Sequence, residues 1–440
     1  MRRIFSMALT LIIANSSQAD DWPAFRGPRG NGLSRETSAP IEWDADKNVK
    51  WKTKLPREGN GSPIVSQGRV YLACAEDGKG LRRSLYCFDR ESGKQKWVRP
   101  VDFGKEMPTH KTNLYCGSTP VSDGERVVVW HSSAGLFCYD FDGNELWSRD
   151  LGPFEHMWGY GSSPVLLDDR VILNCGPGKR TFVTAIDLAT GETIWEQDEP
   201  FKGDGDVNEN GKYMGSWSTP VIASIDGRDQ IVCAMATRLN GYDPDNGKIL
   251  WTCDGIRGPK GDLAYSSPMI SGELCVMIGG FNGPAMGLKL GGTGDITATN
   301  RLWRNETNPQ NIGTGVFVGS HIYRSNAGRP SIVECIDPKT GAMIWAGPPG
   351  GSSWSSIVGT KSHLYLIDQD GTTLVFEANP VEYSAVAKNQ LAEPTNSTPA
   401  ISDGEIFIRT FDHLYCIAAS GECLLNGTAQ AAGGRKPETE

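Results

Sequence analysis

The sequence predicts an all-β fold, an eight-bladed β-propeller of four-stranded antiparallel blades. Three observations predict it: a motif recurs at a mean interval of about 49 residues, each copy fits four short strands, and the composition suits tight turns joined by large apolar anchors. Of the 440 residues, 53 are glycine and 13 are tryptophan, whereas charged residues make up only 22%. This balance excludes a coiled coil and a charged disordered chain.

The charge of the chain excludes two kinds of partner. There are 43 basic and 52 acidic residues, for a net charge of −9, and no basic run occurs after the first residues. Nucleic acids and anionic membranes attract basic surfaces. We therefore expect no nucleic-acid partner.

The first nineteen residues have the order of a secretory signal. Arg2 and Arg3 precede eleven residues, nine of them apolar, and small residues follow as far as Ala19. The apolar stretch is too short to span a bilayer. We expect cleavage after about Ala19, a periplasmic or secreted protein, and no transmembrane segment in the mature chain.

The repeat defines the domain layout that the sequence predicts. Residues 1–19 form the signal and residues 20–48 an N-terminal arm. The propeller occupies residues 49–418, and residues 419–440 form a C-terminal tail.

Each copy of the motif consists of an apolar strand, an aspartate, a turn that ends in glycine, and a tryptophan four residues later. The aspartates are Asp89, Asp140, Asp187, Asp243 and Asp337. This chemistry suits a hairpin, because the carboxylate caps the turn and glycine accepts the left-handed conformation.

Most units open with a serine or threonine followed by proline. These pairs are Ser62-Pro63, Thr119-Pro120, Ser163-Pro164, Thr219-Pro220, Ser267-Pro268 and Thr398-Pro399. Proline is tolerated as the first residue of a strand, where it need not donate a hydrogen bond. A second turn and strand follow each pair, so each unit contains four strands.

Seven tryptophans mark the ends of the fourth strands, and we expect them to pack between neighbouring units. They are Trp51, Trp97, Trp147, Trp195, Trp251, Trp303 and Trp345. The fifth unit has an insert at residues 291–300, and the sixth opens with Thr314-Gly315. The seventh lacks the tryptophan, and residues 383–388 are its predicted fourth strand.

The two ends of the repeat region complete each other. The last unit has three predicted strands, up to residue 418, and residues 49–52 form a strand that belongs to no unit. Joining them closes the ring and protects every inner sheet edge. A competing candidate for the last strand is Cys423-Leu424-Leu425, but the N-terminal strand matches the pattern better.

The eleven cysteines are predicted to be mostly free and buried. The number is odd and no two are adjacent. Four of them occupy one slot of the repeated strand, Cys87, Cys138, Cys335 and Cys416. Other copies have Ala185 or Gly241 there, so the slot requires a small residue, and cysteine serves as a small hydrophobe.

The string Asp-x-x-Ser/Thr-Gly-x-x-x-Trp resembles the repeat of the pyrroloquinoline-quinone (PQQ) propeller superfamily. That superfamily includes quinoprotein alcohol dehydrogenases and the non-catalytic outer-membrane assembly factor BamB. The resemblance covers residues 51–418, and residues 21–28 resemble the arm that precedes such propellers in exported bacterial proteins. It implies the fold and leaves two functions open, a binding or scaffold module and a PQQ-dependent oxidoreductase acting on alcohols or sugars.

The chain departs from both branches of this superfamily. It lacks the adjacent cysteine pair typical of the dehydrogenases, and their Glu, Asn and Asp calcium residues cannot be aligned with it. It also lacks the cysteine after the signal that usually carries the lipid of BamB-like proteins. We expect a binding module without a cofactor; PQQ with calcium is the alternative.

The loops that join the fourth strand of one unit to the first strand of the next are predicted to meet at one mouth of the channel. They carry aromatic and polar residues suited to a planar or sugar-like ligand, or to a protein partner. The candidates are His110, Lys111, Asn113, Tyr115, His156, Trp158, Tyr160, Tyr213, Trp217, Tyr265, Trp354 and Asn396. The alternative is that these side chains fill the channel and fix the loops.

One acidic loop has the alternating oxygens of a calcium site. Its candidates are Asp204, Asp206, Asn208 and Asn210. The position twelve residues along is Trp217, where a calcium loop of the EF-hand type requires glutamate. A solvated turn is the favoured interpretation. The chain has no nucleophile elbow, phosphate loop or zinc-protease motif.

Overall fold

The computed structural model describes residues 21–200, 205–328 and 333–419. Nearly all of its regular structure is antiparallel β-sheet, which confirms the predicted fold class. The predicted signal peptide, Asp204 and the segment around Cys423 lie outside the described residues. Within the described ranges, no helix combines the length and apolar character needed to cross a bilayer.

The strands fall into eight consecutive units, here numbered 1 to 8, and β1 (Val49–Lys54) precedes them. Unit 1 comprises β2 (Ile64–Ser66), β3 (Arg69–Ala75), β4 (Arg82–Asp89) and β5 (Gln95–Asp102). Unit 2 comprises β6 (Val121–Ser122), β7 (Arg126–Trp130), β8 (Leu136–Asp140) and β9 (Glu145–Arg149). Unit 3 comprises β10 (Val165–Leu167), β11 (Arg170–Cys175), β12 (Phe182–Asp187) and β13 (Thr193–Asp198).

The middle of the chain contains unit 4, unit 5 and the added strands between and within them. After β14 (Tyr213–Ser216), unit 4 comprises β15 (Val221–Ile225), β16 (Arg228–Ala234), β17 (Arg238–Tyr242) and β18 (Ile249–Asp254). Next come β19 (Arg257–Gly258) and β20 (Gly261–Ala264). Unit 5 comprises β21 (Met269–Ser271), β22 (Leu274–Ile278), β23 (Ala285–Lys289) and, after β24 (Gly294–Asp295) and helix α1 (Thr297–Asn300), β25 (Arg301–Asn305).

The last three units return to the simple pattern. Unit 6 comprises β26 (Val316–Val318), β27 (His321–Ser325), β28 (Val333–Ile336) and β29 (Met343–Ala346). Unit 7 comprises β30 (Val358–Gly359), β31 (His363–Ile367), β32 (Thr372–Glu377) and β33 (Ala385–Gln390). Unit 8 comprises β34 (Ala400–Ser402), β35 (Glu405–Arg409) and β36 (His413–Ala418), with β1 as its fourth strand.

The predicted ring closure by the N-terminal strand is confirmed. Strand β1 pairs antiparallel with β36, and Trp51 lies opposite Cys416. The indole N–H of Trp51 also donates to the carbonyl of Arg90 in unit 1, at 2.8 Å. The first and last units of the propeller are therefore joined by backbone pairing and by the tryptophan.

The repeat tryptophans pack between units, as predicted. In six of the seven, the indole N–H donates to a backbone carbonyl in the turn between the third and fourth strands of the next unit, as in Trp147 to Leu188 (2.9 Å) and Trp195 to Pro244 (2.8 Å). The exception is Trp251, which bonds Gln230 of its own unit. The unit that follows it carries the insert.

The Asp–Gly turns have the chemistry that the motif predicted. The Asp187 carboxylate accepts the backbone N–H groups of Ala189 and Thr190, and Gly191 has φ +71°. Gly191 also packs against the ring of Trp147 from the preceding unit. The turn thus serves the hairpin and the interface between units together.

Two features of the fold were not predicted from the sequence. Strands β14, β20 and β19 form a small three-stranded sheet outside the units, and β24 adds a parallel fifth strand to the outer edge of unit 4. Both come from segments without the repeat, where no periodic signal exists.

The interior is formed by apolar clusters between adjacent sheets, and the cysteines belong to it. All ten cysteines in the described ranges are buried and free. The prediction of free, buried thiols is therefore confirmed for those ten. Burial raises the pKa of the Cys74 thiol to about 11, so it stays protonated at neutral pH.

Candidate functional site

The loops between successive units surround a cavity of about 410 Å³ in the channel. Eight of the twelve predicted mouth residues line it. They are His110, Asn113, Trp158, Tyr213, Trp217, Tyr265, Trp354 and Asn396. The order of strands in each unit brings these loops to one end of the ring, which is why the sequence could group them.

The other four predicted residues are absent from the cavity lining. Lys111 is exposed to solvent. Tyr115 is buried and its hydroxyl donates to the carbonyl of Met107 at 2.6 Å, while Tyr160 is buried edge-on against Trp130, with 5.4 Å between ring centroids. These tyrosines point into the loops' own cores, because their large rings complete apolar clusters there.

His156 supports the cavity wall from behind. It is 1% exposed, its Nε2 bonds the carbonyl of Met214 at 3.0 Å, and its ring stands edge-on to Trp217, with centroids 4.9 Å apart. Burial lowers the pKa of His156, which favours the neutral imidazole. It therefore positions Trp217 and does not face the cavity.

One side of the cavity is an aromatic wall centred on Trp158. Its ring lies 4.5 Å from Tyr213, 5.9 Å from Trp217 and 6.3 Å from Tyr265, between centroids. Phe281, from the loop between β22 and β23, extends the wall 6.0 Å from Trp158. Phe281 was not predicted from the sequence, because only the loops that join successive units were expected at this mouth.

The other side carries a chain of amides. Gln369 donates to Asn396 (2.6 Å), Asn396 to Asn60 (3.2 Å), and Asn60 to Asn113 (3.2 Å). Asn113 then donates to the carbonyl of Trp158 at 2.6 Å. The network connects the loops of several units to the aromatic wall and holds the mouth in one shape.

A belt of hydroxyl groups encircles the channel, with one serine or threonine from each unit. The belt residues are Ser62, Thr119, Ser163, Thr219, Ser267, Thr314, Ser356 and Thr398, and all eight line the cavity. Seven backbone N–H groups of the belt each donate to the hydroxyl of the neighbouring unit, at 2.9–3.1 Å.

The belt explains the serine–proline and threonine–proline pairs of the sequence. Six of the eight belt residues directly precede a proline. From the sequence these pairs were assigned to strand openings, and their hydroxyls were not placed in the channel. Because seven of the belt oxygens already accept an N–H, their own protons remain available to donate to a bound molecule.

The N-terminal arm crosses the ring and contributes to this cavity. Trp22 pairs with Val65 of unit 1, the carbonyl of Pro23 accepts the N–H of Ser122 in unit 2, and Arg26 bonds the carbonyl of Gly315 beside unit 6. The arm thus crosses from units 1 and 2 to unit 6. Phe25 lies in this crossing and lines the cavity, so the arm forms part of the cavity wall.

The lining residues are uncharged, apart from the ionisable ring of His110. They include no aspartate, glutamate, lysine or arginine. PQQ carries three carboxylates, which require cationic partners, and calcium sites in proteins are built around carboxylate oxygens. These residues do not fit calcium-held PQQ.

The acidic loop is organised as a turn. The side-chain oxygen of Asn208 accepts the N–H groups of Asn210 and Lys212, each at 3.0 Å, and its amide donates to Asp262 at 3.1 Å. Over the residues described, no group of three His, Cys, Asp or Glu side chains could hold a metal ion. Asp206 belongs to the same loop, whereas the position of Asp204 is not described.

Comparisons with known proteins agree with this architecture. The sequence model of the family described as "Outer membrane protein assembly factor BamB" matches residues 34–108 and 82–347. A quinohemoprotein alcohol dehydrogenase from Comamonas testosteroni is 22% identical over 324 residues, covering 60% of this chain and 43% of the relative. The aligned segment therefore spans less than half of that relative's length.

Two solved structures have the same fold at low sequence identity. BamB from Moraxella catarrhalis gives a TM-score of 0.57 at 13% identity, covering 85% of this chain and 98% of that one. The quinohemoprotein alcohol dehydrogenase from Comamonas testosteroni gives 0.64 at 14% identity, covering 97% and 83%. At such identities the likeness concerns the fold alone.

Proposed function

The chain belongs to the PQQ-like β-propeller family, and we propose that it is a binding module that holds a neutral, oxygen-rich ring, such as a sugar, in its channel cavity. The observation that carries the proposal is the lining itself. An aromatic wall faces amides and hydroxyls across a cavity without charged side chains other than a histidine. The cavity volume lies in the range of small-molecule sites.

Each part of the lining matches one part of a sugar. The faces of Trp158 and Trp354 suit the C–H face of a pyranose, while Asn60 and Asn113 provide amides for the ring hydroxyls. The belt hydroxyls add donors lower in the cavity. Because the amide network and His156 hold these groups in place, little ordering is required on binding.

A PQQ-dependent oxidoreductase acting on alcohols or sugars is the alternative. The likeness to a quinohemoprotein alcohol dehydrogenase supports it at the level of the fold. The uncharged lining argues against it, because the carboxylates of the quinone would be buried without a cationic partner. We therefore propose that the protein acts without this cofactor.

Binding of neutral sugars to the purified protein tests the proposal. We expect saturable heat in calorimetric titrations with at least one monosaccharide or disaccharide of a neutral panel. Trp354→Ala should weaken binding about tenfold, or about 1.4 kcal/mol. Tyr383→Ala, an aromatic truncation outside the cavity, should leave it unchanged. Absence of binding throughout the panel, or dye reduction after loading with PQQ and calcium, would refute the proposal.

The family also supports a role outside the cytoplasm. Its description as an outer-membrane assembly factor favours an exported protein that binds other proteins, and the leader-like start of the sequence agrees. We propose export with removal of about nineteen residues. Cell fractionation and the mass of the isolated protein test this; an intact N-terminus in the cytoplasmic fraction would contradict it.

A further inference from the structure

A second cavity, of about 280 Å³, is also lined by the N-terminal arm. Successive arm residues contribute to the two cavities, because Phe25 lines the first and Arg26 the second. The inner strands of units 4, 5 and 6 contribute the rest of the second lining. The two arginines of the arm, Arg26 and Arg29, both belong to it.

Arg26 is a buried cation without an anionic partner. Its side chain is held by the carbonyls of Asn31 and Gly315, and its residue is only 3% exposed. Its Nε atom has no hydrogen-bond partner, and in the described part of the chain no carboxylate lies within ion-pair distance of it. Burial lowers the pKa of this guanidinium to about 9.

The surroundings add positive charge and donors without adding negative charge. Arg29 lies at the edge of the cavity, and the described structure gives it no ion pair. The lining also contains the hydroxyl of Ser224 and the amide of Asn31, but no aspartate or glutamate. An uncompensated buried charge is costly, and an anion beside it would offset that cost.

We propose that this second cavity binds a small tetrahedral oxyanion, phosphate or sulfate, between Arg26 and Arg29. Guanidinium groups present planar pairs of N–H donors that match the oxygens of such anions. The cavity is large enough for one such ion, and its two arginines come from one short arm segment. A bound anion would therefore also hold the arm across the ring.

Calorimetric titration of the full chain with inorganic phosphate and with sulfate, at constant ionic strength set by chloride, tests the site. We expect saturable binding of both ions in the wild type. Arg29→Glu should weaken it at least tenfold, because it places a negative charge at the edge of the cavity. Arg57→Glu, which reverses an exposed arginine outside this lining, should leave affinity within twofold of the wild type.

Arg26→Lys provides a second measurement, because lysine retains the positive charge but lacks the paired, coplanar N–H donors of the guanidinium. We expect it to weaken phosphate binding severalfold; if it fails to fold, the Arg29 variant still decides the question. Absence of saturable binding by the wild type, or equal affinity in Arg29→Glu, would overturn the proposal. Neither outcome depends on whether the channel cavity binds a sugar, so the two proposals fail separately.

Discussion

The contact between a turn glycine and the tryptophan of the preceding unit makes a sharp prediction for Gly191→Ala. Gly191 has φ +71°, and a Cβ atom there would lie 2.5 Å from the ring of Trp147. Gly227 has almost the same backbone, φ +74°, but a Cβ atom would meet nothing within 4 Å. Gly227→Ala is therefore a matched control for the backbone effect alone.

The expected magnitudes follow from these two environments. A left-handed alanine costs about 1–2 kcal/mol relative to glycine, and Gly227→Ala should show only this. Gly191→Ala must also displace the Trp147 ring, at about 1–3 kcal/mol for overpacking. It should weaken the 2.9 Å bond from the indole to Leu188 as well, for about 1 kcal/mol more. We expect Gly191→Ala to exceed its control by about 2–4 kcal/mol.

Urea unfolding followed by tryptophan fluorescence and circular dichroism measures both variants. A double-mutant cycle with Trp147→Ala isolates the contact, because the excess cost of Gly191→Ala should vanish when the ring is absent. Equal destabilisation by the two glycine substitutions would show that contact with the Trp147 ring adds nothing to the cost. So would an excess cost that persists without Trp147.

Three further predictions concern the belt, a buried acid and ring closure. Thr398→Val leaves the Ser356 N–H without its acceptor and should lower the free energy of unfolding in urea by about 1–3 kcal/mol. Thr398→Ser keeps a hydroxyl and should lower it by less than about 1 kcal/mol. Equal losses in the two variants would contradict the role of the belt hydroxyl. Burial raises the pKa of the Asp368 carboxyl to about 6, so the native state binds a proton that the unfolded chain has lost, and stability falls as the pH rises from about 4 to 6. Asp368→Asn should therefore match the wild type in melting temperature near pH 4 and exceed it at about pH 7; a constant difference would count against this assignment. Trp51→Phe removes the indole bond that joins β1 to unit 1 and should cost about 1–2 kcal/mol in the same unfolding assay; an unchanged midpoint would show that this bond does not contribute to closure.

Much of the fold could be predicted from the sequence because its determinants are local. The Asp187 carboxylate, the left-handed Gly191 and the tryptophan after it lie within nine residues, and their chemistry fixes one hairpin. Repetition of this hairpin predicted the ring, and the unassigned strand before the first unit predicted its closure. The insert and the small extra sheet lacked such a repeat and were missed.

The candidate site was predicted in part, for a related reason. Strand order places the loops between units at one mouth, so Trp158, Tyr213 and Trp354 could be grouped without a structure. Whether a loop side chain faces the cavity depends on the packing behind it. Tyr115 and Tyr160 lie in aromatic-rich loops like that of Tyr213. Their side chains, however, are buried in the loops and do not line the cavity.

Local sequence patterns are sufficient to predict the all-β class, the repeated hairpin, the closing strand and the set of loops at the mouth. Which side chains enter the channel, how the arm crosses it and where the belt forms depend on contacts between distant segments. The N–H of Thr398 meets the hydroxyl of Ser62 across 336 positions of the chain, and the cavity behind Arg26 is assembled from the arm and three units. Contacts between such distant segments leave no local pattern, because they are selected by the packing of the closed ring.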